Sequence, residues 1–284
     1  MKTALIYLLG AGRSGTTLLA TVLNSHPKIQ TIGEMHQFVE HLKEGKQCSC
    51  GEEVKDCPFW GNIVNDLSFD ENDLERLDTI LQRSESHKNI PGLLLGDVKG
   101  TDEYLKIQHD IFKSITLNAP NQVLLDSSKY IARYLLLKKG GLFNLKGVYV
   151  IRDVRGVINS FGKQVQTPKK PIATIVYYSL INFFGQILCW MDKDIVKIKY
   201  EDFVINPVLV TSQIHEHVFG EGHNNFELPK HYEMPHIIGG NRMKTSKSIS
   251  IKPDVKWKAN MPRDKQILYY ILTLPLMLIN RYKL

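Results

Sequence analysis

Two hydrophobic periods alternate along the chain. Thr3–Leu9 (TALIYLL) is an unbroken apolar run of strand length, the pattern of a parallel strand covered on both faces. A glycine-rich turn follows, then residues 17–23 (TLLATVL), helical in period and ending near Asn24-Ser25-His26-Pro27. Residues 29–32 are short and β-prone, and Gly33-Glu34 closes them. From Cys48 to about Ser86 the chain is polar and irregular, with one helix predicted over 71–84, so 35–120 reads as an insertion or cap. Alternation then resumes: strand 122–125, helix 130–137, strand 146–151, helix 154–162, helix 172–191, strand 195–199, and a helix from Asn206-Pro207 to about 219. Strands alternating with helices predict an α/β fold with a central, mostly parallel sheet and helices on both faces. The expectation is one domain over 1–284, with residues 220–262 as a long loop.

Two apolar stretches test whether any part crosses a membrane. Residues 171–191 carry no charge over a bilayer-spanning length. Thr174, Ser179, Asn182, Gly185 and Gln186 recur nearly every turn, so the segment reads as a helix packed in protein and no membrane span is expected. The run 267–272 is interrupted by Pro275, which predicts a kinked docking helix.

Composition narrows the function classes. Of 284 residues, 43% are apolar and 23% charged, which excludes wholesale disorder. Lys and Arg number 36 against 29 Asp and Glu, a formal charge of +7, without the dense basic stripes of a nucleic-acid binder. A phosphate-bearing small molecule needs only a few well-placed cations. Four cysteines are too few for a disulfide framework, and the first apolar run is too short for a secretory signal, so the cytoplasm is the expected compartment.

The chemistry begins at the first loop. Gly10-Ala11-Gly12-Arg13-Ser14-Gly15-Thr16-Thr17 leaves a strand and opens a helix, where successive N–H groups and the helix dipole make an anion cradle. Against G-x-x-x-x-G-K-[ST] both glycines and Thr17 match, but Thr16 stands where the nucleotide P-loop has its lysine. Arg-Ser-Gly-Thr-Thr-Leu-Leu resembles the 5′-phosphosulfate loop of sulfotransferases that use 3′-phosphoadenosine 5′-phosphosulfate (PAPS). That resemblance implies a three-layer P-loop, Rossmann-like fold, with Gly12, Arg13, Ser14, Gly15, Thr16 and Thr17 holding the donor.

A second segment, Ile151-Arg152-Asp153-Val154-Arg155-Gly156-Val157-Ile158-Asn159-Ser160, starts as a strand ends. Arg152 and Ser160, eight residues apart, resemble the family's 3′-phosphate pair, while Arg155 either adds a cation or pairs locally with Asp153. Six cations against one acid, Asp254, fill 242–258. Gly239-Gly240-Asn241-Arg242-Met243-Lys244 resembles the loop that closes over the nucleotide, at about 236–260. Arg242 and Lys244 occupy the places where bacterial relatives have Pro and Arg, which leaves open which cation meets the 3′-phosphate.

Sulfuryl transfer needs a base for the acceptor proton and cations for the departing phosphate. Glu34, in Ile32-Gly33-Glu34-Met35-His36, resembles the catalytic base of tyrosylprotein and several bacterial sulfotransferases, with His36 as the neighbouring alternative. Asp126-Ser127-Ser128-Lys129 stands where other relatives carry a histidine. Lys129 is the candidate cation, with Asp126 orienting it, and Arg13 completes the catalytic set.

Cys48, Cys50 and Cys57 fall within ten residues, ahead of Phe59 and Trp60. They read first as structural thiols and second as three zinc ligands with His36 or His41 as the fourth. The resemblance implies PAPS as donor, 3′-phosphoadenosine 5′-phosphate (PAP) as product, and no obligatory metal. It further implies a small-molecule, natural-product or carbohydrate acceptor bearing a hydroxyl or amine, and no nucleic-acid partner. A P-loop kinase of a small metabolite and a non-catalytic, membrane-associated nucleotide binder are the rival readings.

Overall fold

The computed structural model describes residues 3–97, 100–120, 122–163, 169–220, 227–240 and 242–284, with Arg242 described by its backbone alone. Five strands, β1 (Thr3–Leu9), β2 (Ile29–Gly33), β3 (Val123–Lys129), β4 (Phe143–Ile151) and β5 (Ile195–Lys199), form one sheet in the order β2-β3-β1-β4-β5. β1 and β2 both pair with β3 in parallel. The chain order turns round at β1, whose carboxyl end is therefore the topological switch point where open α/β sheets bind ligands. Leu5 to Leu9 are at most 1% exposed, as an apolar run without alternation requires.

The chain divides into two compact units: Met1–Leu9, Thr17–Gly147 and Phe226–Ile249, and then Gly10–Thr16, Val148–Asn225 and Ser250–Leu284. In the first unit α1 (Thr16–Leu23) follows the loop, and β2 and β3 are separated by α2 (Phe38–Lys43), α3 (Trp60–Leu67), α4 (Glu71–Ser84), α5 (Ile90–Leu94) and α6 (Asp102–Asn118). Helix α4 is the one the pattern predicts, started by a capping box in which Asp70 accepts from the Asp73 N–H. Helix α6 has no such start signal, but it buries Tyr104, Ile107, Ile111, Phe112 and Ile115 at helical spacing. Helix α7 (Ile131–Gly140) follows β3.

β3 runs four residues past its predicted end at Leu125. Asp126, Ser127 and Ser128 lie in it at most 4% exposed, because their polar atoms find partners inside the protein. Residues expected as loop contain a short antiparallel pair, β6 (Tyr232–Glu233) with β7 (Ser248–Ile249).

The second unit holds α8 (Val154–Phe161), α9 (Pro171–Met191), α10 (Tyr200–Ile205), α11 (Pro207–Phe219), α12 (Trp257–Asn260), α13 (Arg263–Leu272) and α14 (Leu274–Ile279). Among the described residues α9 is long and apolar enough to cross a membrane. One face of it is buried, Thr174, Tyr178, Asn182, Gly185 and Gln186 included, while Ile172, Val176, Leu180 and Phe183 are exposed. Tyr149 explains Gly185: a Cβ there would stand 2.8 Å from its ring, and its hydroxyl donates to Asn182 Oδ1 at 3.0 Å. Pro275 sits in the first turn of α14, so the C-terminal run breaks there as predicted.

Candidate functional site

Glu34 ends β2 and opens a 3-10 turn, Met35–Gln37. Gly33 makes the corner with φ +84, and a Cβ there would lie 2.2 Å from the Ile238 carbonyl oxygen. Ile238 takes the place of a further strand neighbour: its carbonyl accepts from the Glu34 N–H at 2.8 Å, and its N–H donates to Ile32 at 3.3 Å. The Glu34 carboxylate, 8% exposed, accepts from Lys129 Nζ at Oε1 and from Gln37 Nε2 at Oε2, 3.2 Å away. Lys129 Nζ also donates to the Ser127 carbonyl at 3.1 Å. Its third ammonium proton has no partner among the described residues. Lys129 has φ +70 and pairs in register with Leu9, the residue from which the first loop departs.

Asp126 does not orient Lys129, contrary to expectation. Its Oδ1 accepts from the Ser128 hydroxyl, the Ser128 N–H at 2.9 Å and the Met35 N–H at 3.4 Å, and its Oδ2 accepts from Arg133 Nε at 2.9 Å. Arg133, wholly buried in α7, also donates from Nη1 to Glu85 Oε1 at 2.6 Å, and Tyr104 donates to the same carboxylate at 2.9 Å. Ser128 Oγ accepts the His36 N–H at 3.1 Å. A buried guanidinium thus reaches, through Asp126 and Ser128, the backbone of the two residues after Glu34. Sequence reasoning missed Arg133, since an arginine in an apolar helix reads as a surface residue.

Burial and nearby Lys129 push the His36 imidazole well below its ordinary range. His41 is lowered from 6.5 to about 4, by burial first and then by Lys244, against smaller opposing effects of the Gln37 carbonyl and Glu40. Its Nδ1 faces the Gln37 carbonyl at 3.0 Å and its Nε2 accepts the Gly239 N–H at 3.3 Å, so the neutral ring is the form that fits. Between pH 6.5 and 4 the unfolded chain binds the proton that the folded one refuses, so stability falls as pH falls through this window. The thermal midpoint is expected to drop on going from pH 7 to pH ~5, and His41→Gln should flatten the profile. A midpoint independent of pH across this range would contradict the assignment.

The remaining expected anchors meet in the second unit. Arg13 has φ +70 and Gly15 φ +91, and the Ser14 N–H donates to the Ala11 carbonyl at 3.2 Å, so the loop curls on itself before α1. Arg13 Nε donates to Ser160 Oγ at 2.9 Å, and Arg152 Nη1 donates to the Arg13 carbonyl at 3.0 Å. The two segments singled out in sequence, 139 residues apart at Arg13 and Arg152, therefore form one cluster. Tyr200 stacks on the Arg152 guanidinium at 4.2 Å and blocks any side chain at Gly15, whose Cβ would lie 2.4 Å from its ring. Tyr177, a residue no sequence signal marked, accepts the Gly12 N–H at 2.8 Å from α9. The Asp254 carboxylate lies 3.2 Å from both Arg152 Nη2 and Lys163 Nζ. Partial burial alone would raise its carboxyl, but Arg152 and Lys163 hold it below the usual range.

Arg155 is a structural cation. It is buried, pairs with Asp153 at 2.7 Å, donates to the Lys283 carbonyl at 2.6 Å and stacks on Trp257. A cavity of about 780 Å³ shares Tyr200 and Asp254 with the arginine cluster and is lined also by Trp257 and Lys258.

Thr17 and Lys244 belong to the first unit. Lys244 Nζ donates to the Gln47 carbonyl at 3.2 Å, and burial lowers its ammonium from the ordinary range. Gly239 and Gly240 both have positive φ. Asn241 lies outside the described residues, and Arg242 opens the 3-10 turn Arg242–Thr245. The cysteines cluster with His236, not with His36 or His41.

Residues 6–87 match the sulfotransferase family model. No curated protein matches the chain. Among solved structures, the sulfotransferase domain from the curacin biosynthetic pathway is 19% identical with a TM-score of 0.53, covering 99% of both chains. The sulfotransferase domain from the olefin synthase of Synechococcus PCC 7002 is 17% identical with a TM-score of 0.56, covering 100% of this chain and 97% of its own. These likenesses show a shared fold over the whole length of the chain, and the family model matches its first part, residues 6–87.

Proposed function

We propose that the protein transfers a sulfuryl group from PAPS to a hydroxyl or amine of a small-molecule, natural-product or carbohydrate acceptor. The observation that carries the donor half is the Arg13–Ser160–Arg152 cluster against a glycine loop. Its chemistry fits a nucleotide with phosphates at both ends. Ser14 Oγ is buried with no partner among the described residues, and the Asp254 carboxylate already sits on two cations as an anionic oxygen would. The loop amides, Ser14 and Thr16 would hold the 5′-phosphosulfate, and Arg152 with Ser160 the 3′-phosphate.

In this reading PAPS supplies an activated sulfuryl group on a phosphate leaving group. Glu34 accepts the acceptor's O–H or N–H proton as the new bond to sulfur forms. The bond from sulfur to the bridging oxygen breaks, and the electron pair leaves with PAP. Arg13 would meet the charge that develops on the departing oxygens, while in the first unit Lys129 holds the Glu34 carboxylate in place. Thr16, in place of a P-loop lysine, weighs against the kinase reading.

Arg152→Ala is expected to weaken PAP binding by roughly 10–100-fold and adenosine 5′-phosphate binding far less, because a charge-assisted pair to the 3′-phosphate is lost. Equal losses for both nucleotides in a calorimetric titration would remove Arg152 from that role. The reaction itself is tested by mass spectrometry over a panel of phenols, sugars, lipids and amines. A mass gain of one sulfuryl group with PAPS supports the assignment. A phosphoryl gain with ATP–Mg replaces it by the kinase.

A further inference from the structure

Three thiols and an imidazole that the transfer chemistry leaves unused lie together in the first unit. The Sγ atoms of Cys48, Cys50 and Cys57 and a ring nitrogen of His236 all fall within 4.8 Å of one another. Cys57 Sγ is 3.5 Å from Cys48 Sγ and 3.2 Å from His236 Nδ1. A disulfide would bring two sulfurs to about 2 Å, so these are separate thiols. Around a tetrahedral zinc ion with Zn–S of about 2.3 Å and Zn–N of about 2.0 Å, neighbouring ligand atoms stand roughly 3.5–3.8 Å apart. The cluster is already at that scale.

Contacts that owe nothing to a metal hold the four groups in place. Ser49, between the first two cysteines, donates from Oγ to the Pro235 carbonyl at 2.6 Å and accepts the Ile237 N–H at 3.0 Å. Trp60 Nε1 donates to the His236 carbonyl at 3.1 Å, and the Phe59 ring stacks on the His236 ring at 6.4 Å. Gly51, with φ +97, turns the chain back after Cys50. Cys48 and Cys57 are buried while Cys50 is exposed, which leaves an entry path for an ion. Three sulfurs and one imidazole select a soft or borderline cation over magnesium or calcium.

We propose that Cys48, Cys50, Cys57 and His236 bind one zinc ion in a closed structural site that fastens residues 236–240 beside Glu34. With four protein ligands there is no open position for water or substrate, so the ion would act on structure alone. Binding converts three thiols to thiolates and releases their protons to solvent. The ion closes a loop of 179 residues between Cys57 and His236. It does so two residues before Ile238, whose carbonyl holds the Glu34 N–H, and three before Gly239. The clip would therefore set the position of the glycine pair without touching substrate. It stands or falls independently of the sulfuryl-transfer reading.

The test is the metal content of the purified chain after dialysis against a competing chelator, with cobalt(II) as a spectroscopic replacement. About one zinc per chain is expected, and cobalt should give thiolate charge-transfer bands with the intense visible bands of a tetrahedral site. Cys50→Ser, at an exposed position, and His236→Ala should each fall below about one tenth of an equivalent while circular dichroism shows a folded chain. His236→Cys should keep the ion, and Cys189→Ser, outside the cluster, should not change it. A chain that retains no zinc and shows no thiolate–cobalt bands overturns the proposal, whether its thiols titrate free or pair as a disulfide. Equal retention by parent, Cys50→Ser and His236→Ala overturns it too.

Discussion

Glu34→Gln is expected to lower turnover by about 10²–10⁴-fold, the range for loss of a general base. PAP affinity should stay within about threefold, since the side chain's contacts are outside the donor cluster. The substitution is a sharp one because glutamine preserves the shape. Its amide oxygen can still accept from Lys129 or Gln37, as the Glu34 oxygens do. What disappears is the ability to take a proton. Glu34→Ala would be harder to interpret, since it strands the Lys129 ammonium in a site where that side chain is 14% exposed. Single-turnover kinetics and a PAP titration on the same preparation separate the two effects. Unchanged turnover would exclude Glu34 as the base and turn attention to His36.

Arg133→Met should cost about 3–5 kcal/mol of stability, as removal of one partner from a buried ion cluster does. That is a large part of the ~5–15 kcal/mol that holds a typical domain together. Arg133, Asp126 and Glu85 have side chains 0%, 0% and 4% exposed, so two carboxylates would lose their cation with no water to replace it. Burial already raises the Glu85 carboxyl, and once the guanidinium is gone the Tyr104 hydrogen bond would be left to oppose it. Lysine should not rescue the site, because Asp126 and Glu85 are met by different nitrogens of one planar fork. Urea denaturation reads the result directly. A loss under ~1 kcal/mol would mean that the network can reorganise around the missing charge. The same variant should impair turnover even where it folds, since Asp126 and Ser128 hold the Met35 and His36 amides.

The readable half of this molecule was the half with sharp local signals. β1 announces itself as an apolar run, the loop at 10–17 by its glycines, α8 by its spacing from Arg152 to Ser160. The pairing of Arg13 with Ser160 was implied only through the ligand they were expected to share; the structure joins them directly. Long-range contacts were illegible. Tyr177 looks like any aromatic on an uncharged helix, yet it caps the Gly12 amide. Asp254 looked like an odd acid in a basic stretch, and it proves to be the partner of Arg152 and Lys163. β3 was cut short at Leu125 because Asp126, Ser127, Ser128 and Lys129 are polar, and their burial rests on distant partners such as Arg133, Met35 and Glu34 that no local signal announces. His236 could not be chosen as the companion of three cysteines almost 180 residues earlier, when His36 and His41 lay so much nearer in the chain.

The central claim is that the arginine cluster of the second unit recognises a nucleotide phosphorylated at both 3′ and 5′ positions. A calorimetric titration of the purified chain with PAP, set beside one with ATP–Mg, tests it most directly. PAP should bind at least ~100-fold more tightly, the equivalent of about 2.7 kcal/mol of discrimination by the 3′-phosphate contacts. ATP–Mg binding as tight as PAP would contradict the account and favour phosphoryl transfer.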